Sequence, residues 1–265
     1  MGNTTITATQ AADGNYGTAQ ATAQFTVAVA VPTLGAFADL NATFGDAPVT
    51  LVAPTSPSAG AFTYASSNTA VATISGNVLT IVGSGTATIT ATQAADGNYA
   101  GAQITTQLSV DTLAPNLTGF DNLTATFGQA PFVLTAPTSP SAGAFTYTSS
   151  NPAVATINGN TVTVVGTGTT TITATQAADG SYAGASITAQ LMVGAATPTI
   201  TGFGDLHKVY GQAAFDLANP ASNSNGAFTF TIDNAAVATV NGRTVTLTGA
   251  GTATITATQA ATANY

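Results

Sequence analysis

The sequence repeats itself every 83 residues. The hexapeptide TITATQ ends at Gln10, Gln93, Gln176 and Gln259. Tyr16, Tyr99, Tyr182 and Tyr265 keep the same step, as do Phe62, Phe145 and Phe228. A fixed period of this length indicates an array of small domains, each large enough to bury its own core. Three periods take 249 residues, and the remaining 16 match the end of a further copy. This phasing places repeats at 31–113, 114–196 and 197–265. Residues 1–30 then hold the terminal strands of a preceding repeat, and the third repeat lacks its last strand. Met1 stands where the other copies have Ser84, Thr167 and Ala250, as expected of a start placed at a cut in a longer array.

Within one period the side chains alternate with period two, which is strand periodicity. In GTATITATQ, Ala87, Ile89 and Ala91 face one way, and Thr86, Thr88, Thr90 and Thr92 the other. The last strand of the repeat behaves alike, with Ile104, Leu108 and Val110 opposite Gln103, Thr105, Gln107 and Ser109. Asn158-Gly159 and Asn241-Gly242 are hairpin signals, and Ser75-Gly76-Asn77 fills the same slot. Asp96-Gly97 and Asp179-Gly180 mark the turn before the last strand. The APTSPSAG segments at residues 53–60 and 136–143 read as loops excluded from strand by their prolines. In the first repeat, strands are expected near residues 33–37, 48–52, 62–66, 70–74, 77–82, 85–93 and 103–110, with a short return near 40–44. Seven or eight short strands in so small a unit indicate an all-β, immunoglobulin-like sandwich. Links of about six residues carrying Pro115 or Pro198 are short enough to restrain neighbouring units, favouring an elongated rod that advances roughly 40 Å per repeat.

Composition narrows the function. Charged residues make up 5% of the chain, against about 25% in ordinary soluble proteins. The net charge is −8, with Lys208 and Arg243 the sole cationic side chains besides His207. No basic patch is available for nucleic acid. No stretch approaches the ~20 apolar residues of a helical span, so no membrane insertion is expected. With no Cys and no Glu, a general acid–base pair lacks partners. A Ser-His-Asp site would have to form around His207, whose counterparts are Asn41 and Thr124. No enzyme activity and no cofactor are expected.

Several residues carry sharper alternatives. Asp13, Asp96 and Asp179 recur at the tight turns and are the candidate Ca²⁺ ligands. Calcium asks for six to eight oxygens, usually from several carboxylates. The plainer reading is Asp-Gly turn formation. Phe37, Phe44, Phe62, Tyr64 and Tyr99 offer either a sugar-binding surface or, in a chain this poor in large apolar groups, its core. Tyr99 and its equivalents, following the turn directly, also suit packing at a domain junction. An isopeptide bond would need Lys208, which Ala42 and Ala125 replace elsewhere. The N-x-S/T triplets at Asn3, Asn41, Asn116 and Asn122 are expected by chance in so Thr-rich a chain.

The segment SSNPAVATINGNTVTVVGTGTTTITATQ at residues 149–176, with ATFGDAP at 42–48 and GAFTY at 60–64, resembles the bacterial immunoglobulin-like domains of the Big group, type 2. The resemblance recurs once per period. It implies tandem stalk modules of extracellular, surface-anchored adhesins of the invasin and intimin kind, acting as non-enzymatic spacers or in an extracellular filament. The expected partners are further repeats or neighbouring copies of the chain, with any host or glycan ligand held by an absent tip. The competing reading is a carbohydrate- or receptor-binding module. Its sequence support is the third copy, which alone carries His207, Lys208, Arg243 and the altered loop at residues 221–228.

The phasing carries one more expectation. An immunoglobulin-like sandwich without its last strand exposes a sheet edge and an apolar slot. Residues 17–29 are that strand with no domain around it, their apolar face being Ala21, Ala23, Phe25, Val27 and Val29. Donation of this strand into the third repeat of a neighbouring copy would be a head-to-tail contact. Against it, residues 3–16 duplicate residues 252–265, so two copies of one strand compete for one place.

Overall fold

The computed structural model describes residues 2–265; Met1, and the start-site reading attached to it, lie outside the described residues. Among the described residues every regular element is a strand. The chain divides into two compact units. The first comprises Met1–Pro115, Ser141–Gly143 and Ala178–Gly184; the second comprises Asn116–Pro140, Ala144–Ala177 and Ala185–Tyr265.

The first unit opens with an antiparallel hairpin, β1 (Gly2–Gln10) and β2 (Ala19–Val27), paired from Gly2↔Val27 to Gln10↔Ala19. The first repeat follows as β3 (Leu40–Thr43), β4 (Val49–Thr50), β5 (Phe62–Ser66), β6 (Ala72–Ser75), β7 (Val78–Ile81), β8 (Gly85–Gln93) and β9 (Ala102–Asp111). These strands form two sheets, ordered β3-β9-β8-β5 and β4-β7-β6. Alternation decides which faces meet. Ala87, Ile89 and Ala91 of β8 turn inward and are buried, as are Leu108 and Val110 of β9. They close against Leu51, Val71 and Leu79. Phe37, Phe44 and Tyr64 pack on this core half-buried, which bears out the core reading of these rings.

The second unit holds two further repeats. One runs β10 (Leu123–Thr126), β11 (Phe132–Val133), β12 (Phe145–Ser149), β13 (Ala155–Asn158), β14 (Thr161–Val164), β15 (Gly168–Gln176) and β16 (Ala185–Gly194). It repeats the first design, with sheets β10-β16-β15-β12 and β11-β14-β13 around Ile172, Leu191 and Val162. The other runs β17 (Ile200–Thr201), β18 (Phe215–Asp216), β19 (Ala221–Ser222), β20 (Phe228–Ile232), β21 (Ala238–Asn241), β22 (Thr244–Leu247) and β23 (Ile255–Gln259). Its sheets are β20-β23, β18-β22-β21 and β17-β19, around Leu217, Phe230 and Val245.

The hairpin signals hold, one residue along from where Asn-Gly would put a turn. Asn158 is the last residue of β13 and pairs with Thr161, leaving Gly159-Asn160 as the two-residue turn. Gly159 opens that turn at φ +61°, the left-handed conformation that a II′-type hairpin asks of glycine.

Some strand expectations need correction and others refinement. Residues 33–37 do not form a strand; Gly35 only donates its N–H to the Thr55 carbonyl. The short return at residues 40–44 is β3, which pairs in parallel with β9, a contact across about 70 residues that local patterning does not reveal. The Pro-rich loops also take part in pairing. Thr138, between Pro137 and Pro140, exchanges both backbone bonds with Thr118, and in the third repeat the same region is β19. The prolines remove only their own N–H groups, so the residue between them still bonds. Residues 17–29 are not a lone strand either, because β2 is paired along its length with β1.

Candidate interaction sites

Each repeat is closed at one end by a glutamine, buried at Gln93 and Gln176 and half-buried at Gln259. Gln93 continues the inward parity of β8 and is 1% exposed. Its Nε2 donates to the carbonyls of Ser58 and Gly60, each at 3.0 Å, and its Oε1 accepts from Ser56 Oγ at 2.7 Å. Gln259 makes the same three bonds with Ser224, Gly226 and Ser222. Gln176 accepts from Ser139 Oγ at 2.6 Å. The amide thereby ties the Pro-rich loop to the sheet. The loop passes so near that a Cβ on Gly60 would stand 1.9 Å from the Ala94 carbonyl oxygen.

The aspartates close the turns that follow. Asp96 Oδ1 accepts from the N–H groups of Asn98 and Tyr99, at 3.0 and 2.9 Å. Its Oδ2 accepts from Ala59 N at 2.7 Å and Ser58 Oγ at 2.9 Å. These bonds, that from Ala59 N foremost, hold its carboxyl down at about pKa 2, because each favours the charged form. Asp13 Oδ1 accepts from Asn15 N and Tyr16 N, and Asp179 Oδ2 accepts from Ala142 N. Each candidate calcium ligand thus sits alone in its own turn. Among the described residues no three His, Cys, Asp or Glu side chains gather into a possible metal site.

The tyrosines of two of these turns, Tyr182 and Tyr265, enter a clasp. Within the first unit, Leu113 N donates to the Ser181 carbonyl and Ala183 N donates to the Leu113 carbonyl, at 3.0 and 2.9 Å. Ser84 Oγ donates to the Gly180 carbonyl at 2.7 Å, and Ser84 N donates to Ser181 Oγ at 3.2 Å. Tyr182 meets Phe44 edge-on, with centroids 5.4 Å apart at 81°. Within the second unit, Tyr265 meets Phe127 at the same 5.4 Å and 81°. There Thr167 Oγ1 donates to the Ala263 carbonyl at 2.6 Å, and Thr167 N donates to Asn264 Oδ1 at 3.0 Å. The position of Tyr after the turn pointed to this role; the aromatic partner, 138 residues upstream in both cases, did not announce itself.

The hairpin and the third repeat each present an open surface. Ala21, Ala23, Phe25 and Val27 lie on one face of β2, and all are exposed; Val29 lies beyond the strand and is half-buried. Phe25 and Val27 are each 53% exposed, whereas Leu108 and Val110, their counterparts 83 residues on, are buried. In the third repeat the sheet that holds four strands elsewhere contains β20 and β23. Beside β23 runs a groove of about 490 Å³ lined by Leu206, Tyr210, Phe215, Val245, Leu247 and Ile255.

The cations of the third repeat are engaged in its own structure. Arg243 Nε and Nη2 both donate to the Leu217 carbonyl, at 2.9 and 2.6 Å. Lys208 Nζ stands 4.7 Å over the Phe215 ring. His207 lines the groove.

Comparison with protein families matches the intimin immunoglobulin-like domain at residues 55–95, 138–178 and 209–261. No curated protein matches. Similar solved structures include human protocadherin-24 EC1-2, 12% identical, with a TM-score of 0.27, covering 63% of this chain and 99% of that one. A SusE-like surface-located polysaccharide-binding protein from Bacteroides thetaiotaomicron is 14% identical, with a TM-score of 0.25; 62% of this chain is covered but 34% of that protein. An endo-fucoidan hydrolase of glycoside hydrolase family 107 is 15% identical, with a TM-score of 0.28, covering 74% of this chain and 34% of that enzyme. Likeness at these levels carries no functional argument. The family match does, because it spans just over half of the residues and falls once in every repeat: the chain belongs to the intimin immunoglobulin-like domain family, whose members are modules of bacterial surface adhesins.

Proposed function

We propose that this chain is a non-enzymatic spacer of a bacterial surface adhesin, working outside the cell as an elongated run of immunoglobulin-like repeats whose partners are further repeats of the same kind. The observation that carries this reading is the tyrosine clasp, made twice with one ring geometry, 5.4 Å and 81°. A spacer asks for that uniformity. A binding module asks for one copy that departs from the others at an open pole. The third copy departs in Lys208 and Arg243, but Arg243 is spent on the Leu217 carbonyl and Lys208 on the Phe215 ring.

Small-angle scattering of the full chain tests the reading. An elongated profile with a maximum dimension growing by roughly 40 Å per repeat supports it, since an eight-residue strand alone spans about 27 Å. A globular profile would overturn it. A glycan array probes the competing reading, and saturable binding lost on substitution of His207 and Lys208 would favour a carbohydrate-binding pole.

A further inference from the structure

We propose that the parallel pairing of β3 with β9, and of β10 with β16, is a shear clamp by which the first two repeats bear tension along the chain, and that Asp39 strengthens the clamp of the first. The clamp is a property of the fold; that tension reaches it in use rests on the spacer reading. β3 pairs with β9 from Leu40↔Leu108 to Thr43↔Asp111. The chain therefore enters this ladder at Leu40 and leaves it at Asp111. Because the two strands are parallel, the entering end of β3 and the leaving end of β9 lie at opposite ends of the ladder. Tension drawn through both slides the strands past each other and strains all the bonds between them together. An antiparallel pair pulled from its adjacent ends would open one bond at a time.

Both clamps have the same build. Phe44 N extends the first by donating to the Asp111 carbonyl at 2.9 Å. In the second repeat β10 pairs with β16 from Leu123↔Leu191 to Thr126↔Gly194, and Phe127 N donates to the Gly194 carbonyl at 2.9 Å. Length decides which ladder yields. β9 is also held by β8, which is paired along all nine of its residues, whereas β3 offers four. The shorter ladder gives way first and so sets the resistance. Apolar contact adds to it, since Leu40, Ala42 and Phe44 pack half-buried on the core. Until the clamp slips, the strands between Leu40 and Asp111 are shielded from the pull.

Asp39 stands where tension enters. Its Oδ1 accepts from Gln107 N at 3.1 Å and from Thr106 Oγ1 at 2.9 Å, which pins the residue ahead of β3 to β9. The Gln107 N–H, and after it the Thr106 hydroxyl, hold its carboxyl below the usual carboxylate range, so it stays charged. Bonds to a charged acceptor are stronger than neutral ones. In the second repeat Asn122 Oδ1 accepts from Gln190 N at 2.8 Å, but Ala189 stands where the first repeat has Thr106. The charge and the hydroxyl donor are both missing there. The first clamp should therefore outlast the second under the same pull.

The test stretches the full chain between its two ends at constant force. Each clamp that slips should release the roughly 70 residues enclosed between its strands in one step, about 240 Å of chain at ~3.5 Å per residue. The first two repeats should give two such steps of unequal lifetime, the first repeat's being the longer. A pair of prolines probes the ladder. Ala42 lies two residues before Phe44, so its N–H turns toward β9, while that of Asn41 turns to the open edge of the sheet. Ala42→Pro should shorten the lifetime of one step by at least about tenfold, and Asn41→Pro by less than about twofold. Should Ala42→Pro fail to fold, the double variant Asp39→Asn with Thr106→Ala decides, since it installs the side chains that the second repeat carries. It should bring the two lifetimes together, and should quicken unfolding under tension more than in urea. Much shorter steps, equal effects of the two prolines, or a double variant that quickens unfolding alike under tension and in urea overturns the proposal. Each step reads one repeat's own ladder whatever the outline of the whole chain, so the scattering test of the spacer reading fails or succeeds separately.

Discussion

Two hairpins in this molecule are nearly the same sequence in the same register, and they live in opposite environments. Ile6 of β1 and Ile89 of β8 occupy one position of that hairpin, yet Ile6 is 56% exposed and Ile89 fully buried. Gln10 is exposed, while Gln93 is buried and bonded to three loop groups. The lesson is a division of labour. Pairing and register are local properties of the repeat sequence and form with or without a sandwich around them. Burial, and the stability it brings, comes from the second sheet, the Pro-rich loop and β3.

Matched substitutions can break this comparison. The largest effect is expected at the isoleucines. Ile89→Ala should lower stability by about 2–5 kcal/mol through lost burial and the cavity left behind. Ile6→Ala should stay within about 0.5 kcal/mol, as at other surface positions. Urea denaturation of both variants checks this, and equal costs would refute the division. Next come the glutamines. Gln93→Ala leaves the Ser58 and Gly60 carbonyls without their donor, the former buried, and should cost about 1–3 kcal/mol, with Gln10→Ala near zero in the same assay.

The clasp gives a smaller effect. Tyr182→Ala removes the edge-on contact with Phe44, worth about 0.5–1.5 kcal/mol beyond the area buried. Tyr16, 74% exposed at the same position of its turn, should tolerate Ala unchanged. Thermal melts of the two variants sharpen the comparison at the level of the turns.

The smallest effect concerns acid. The Asp96 carboxyl is depressed to about pKa 2 in the folded chain, against about 3.9 when unfolded. The folded state therefore binds fewer protons in that interval. The Asp96 contribution is fully present above about pH 4 and is lost as pH falls through about 2. An acid titration followed by circular dichroism should show a shallower loss of stability in this window for Asp96→Asn. An unchanged slope would mean that the four bonds to Asp96 do not persist in solution.

Much of the fold was legible in the sequence, because an 83-residue period and a period-two alternation are both local signals. The strands of β8 and β9, the hairpin glycines and the core role of Phe37, Phe44 and Tyr64 follow from them. What escaped is non-local. The parallel pairing of β3 with β9 joins residues about 70 apart, and nothing in LNAT advertises it. Gln93 escaped because a polar side chain at an inward position reads as the end of a strand. The signal was there, since its parity continues Ala87, Ile89 and Ala91. The clasp was half legible: the tyrosine stood out at the turn, but its partner Phe44 read simply as core. The pairing of β2 with β1 was missed because the duplicated strand was weighed as a competitor for a distant site and not as the nearest partner.

Amide hydrogen exchange on the full chain tests the central claim most directly. The account predicts that residues 85–93 and 102–111 exchange at least about a hundredfold more slowly than residues 2–10 and 19–27, despite matching sequence and register. Equal protection of the two hairpins would contradict it, because burial by the rest of the sandwich would then not be what stabilises the repeat.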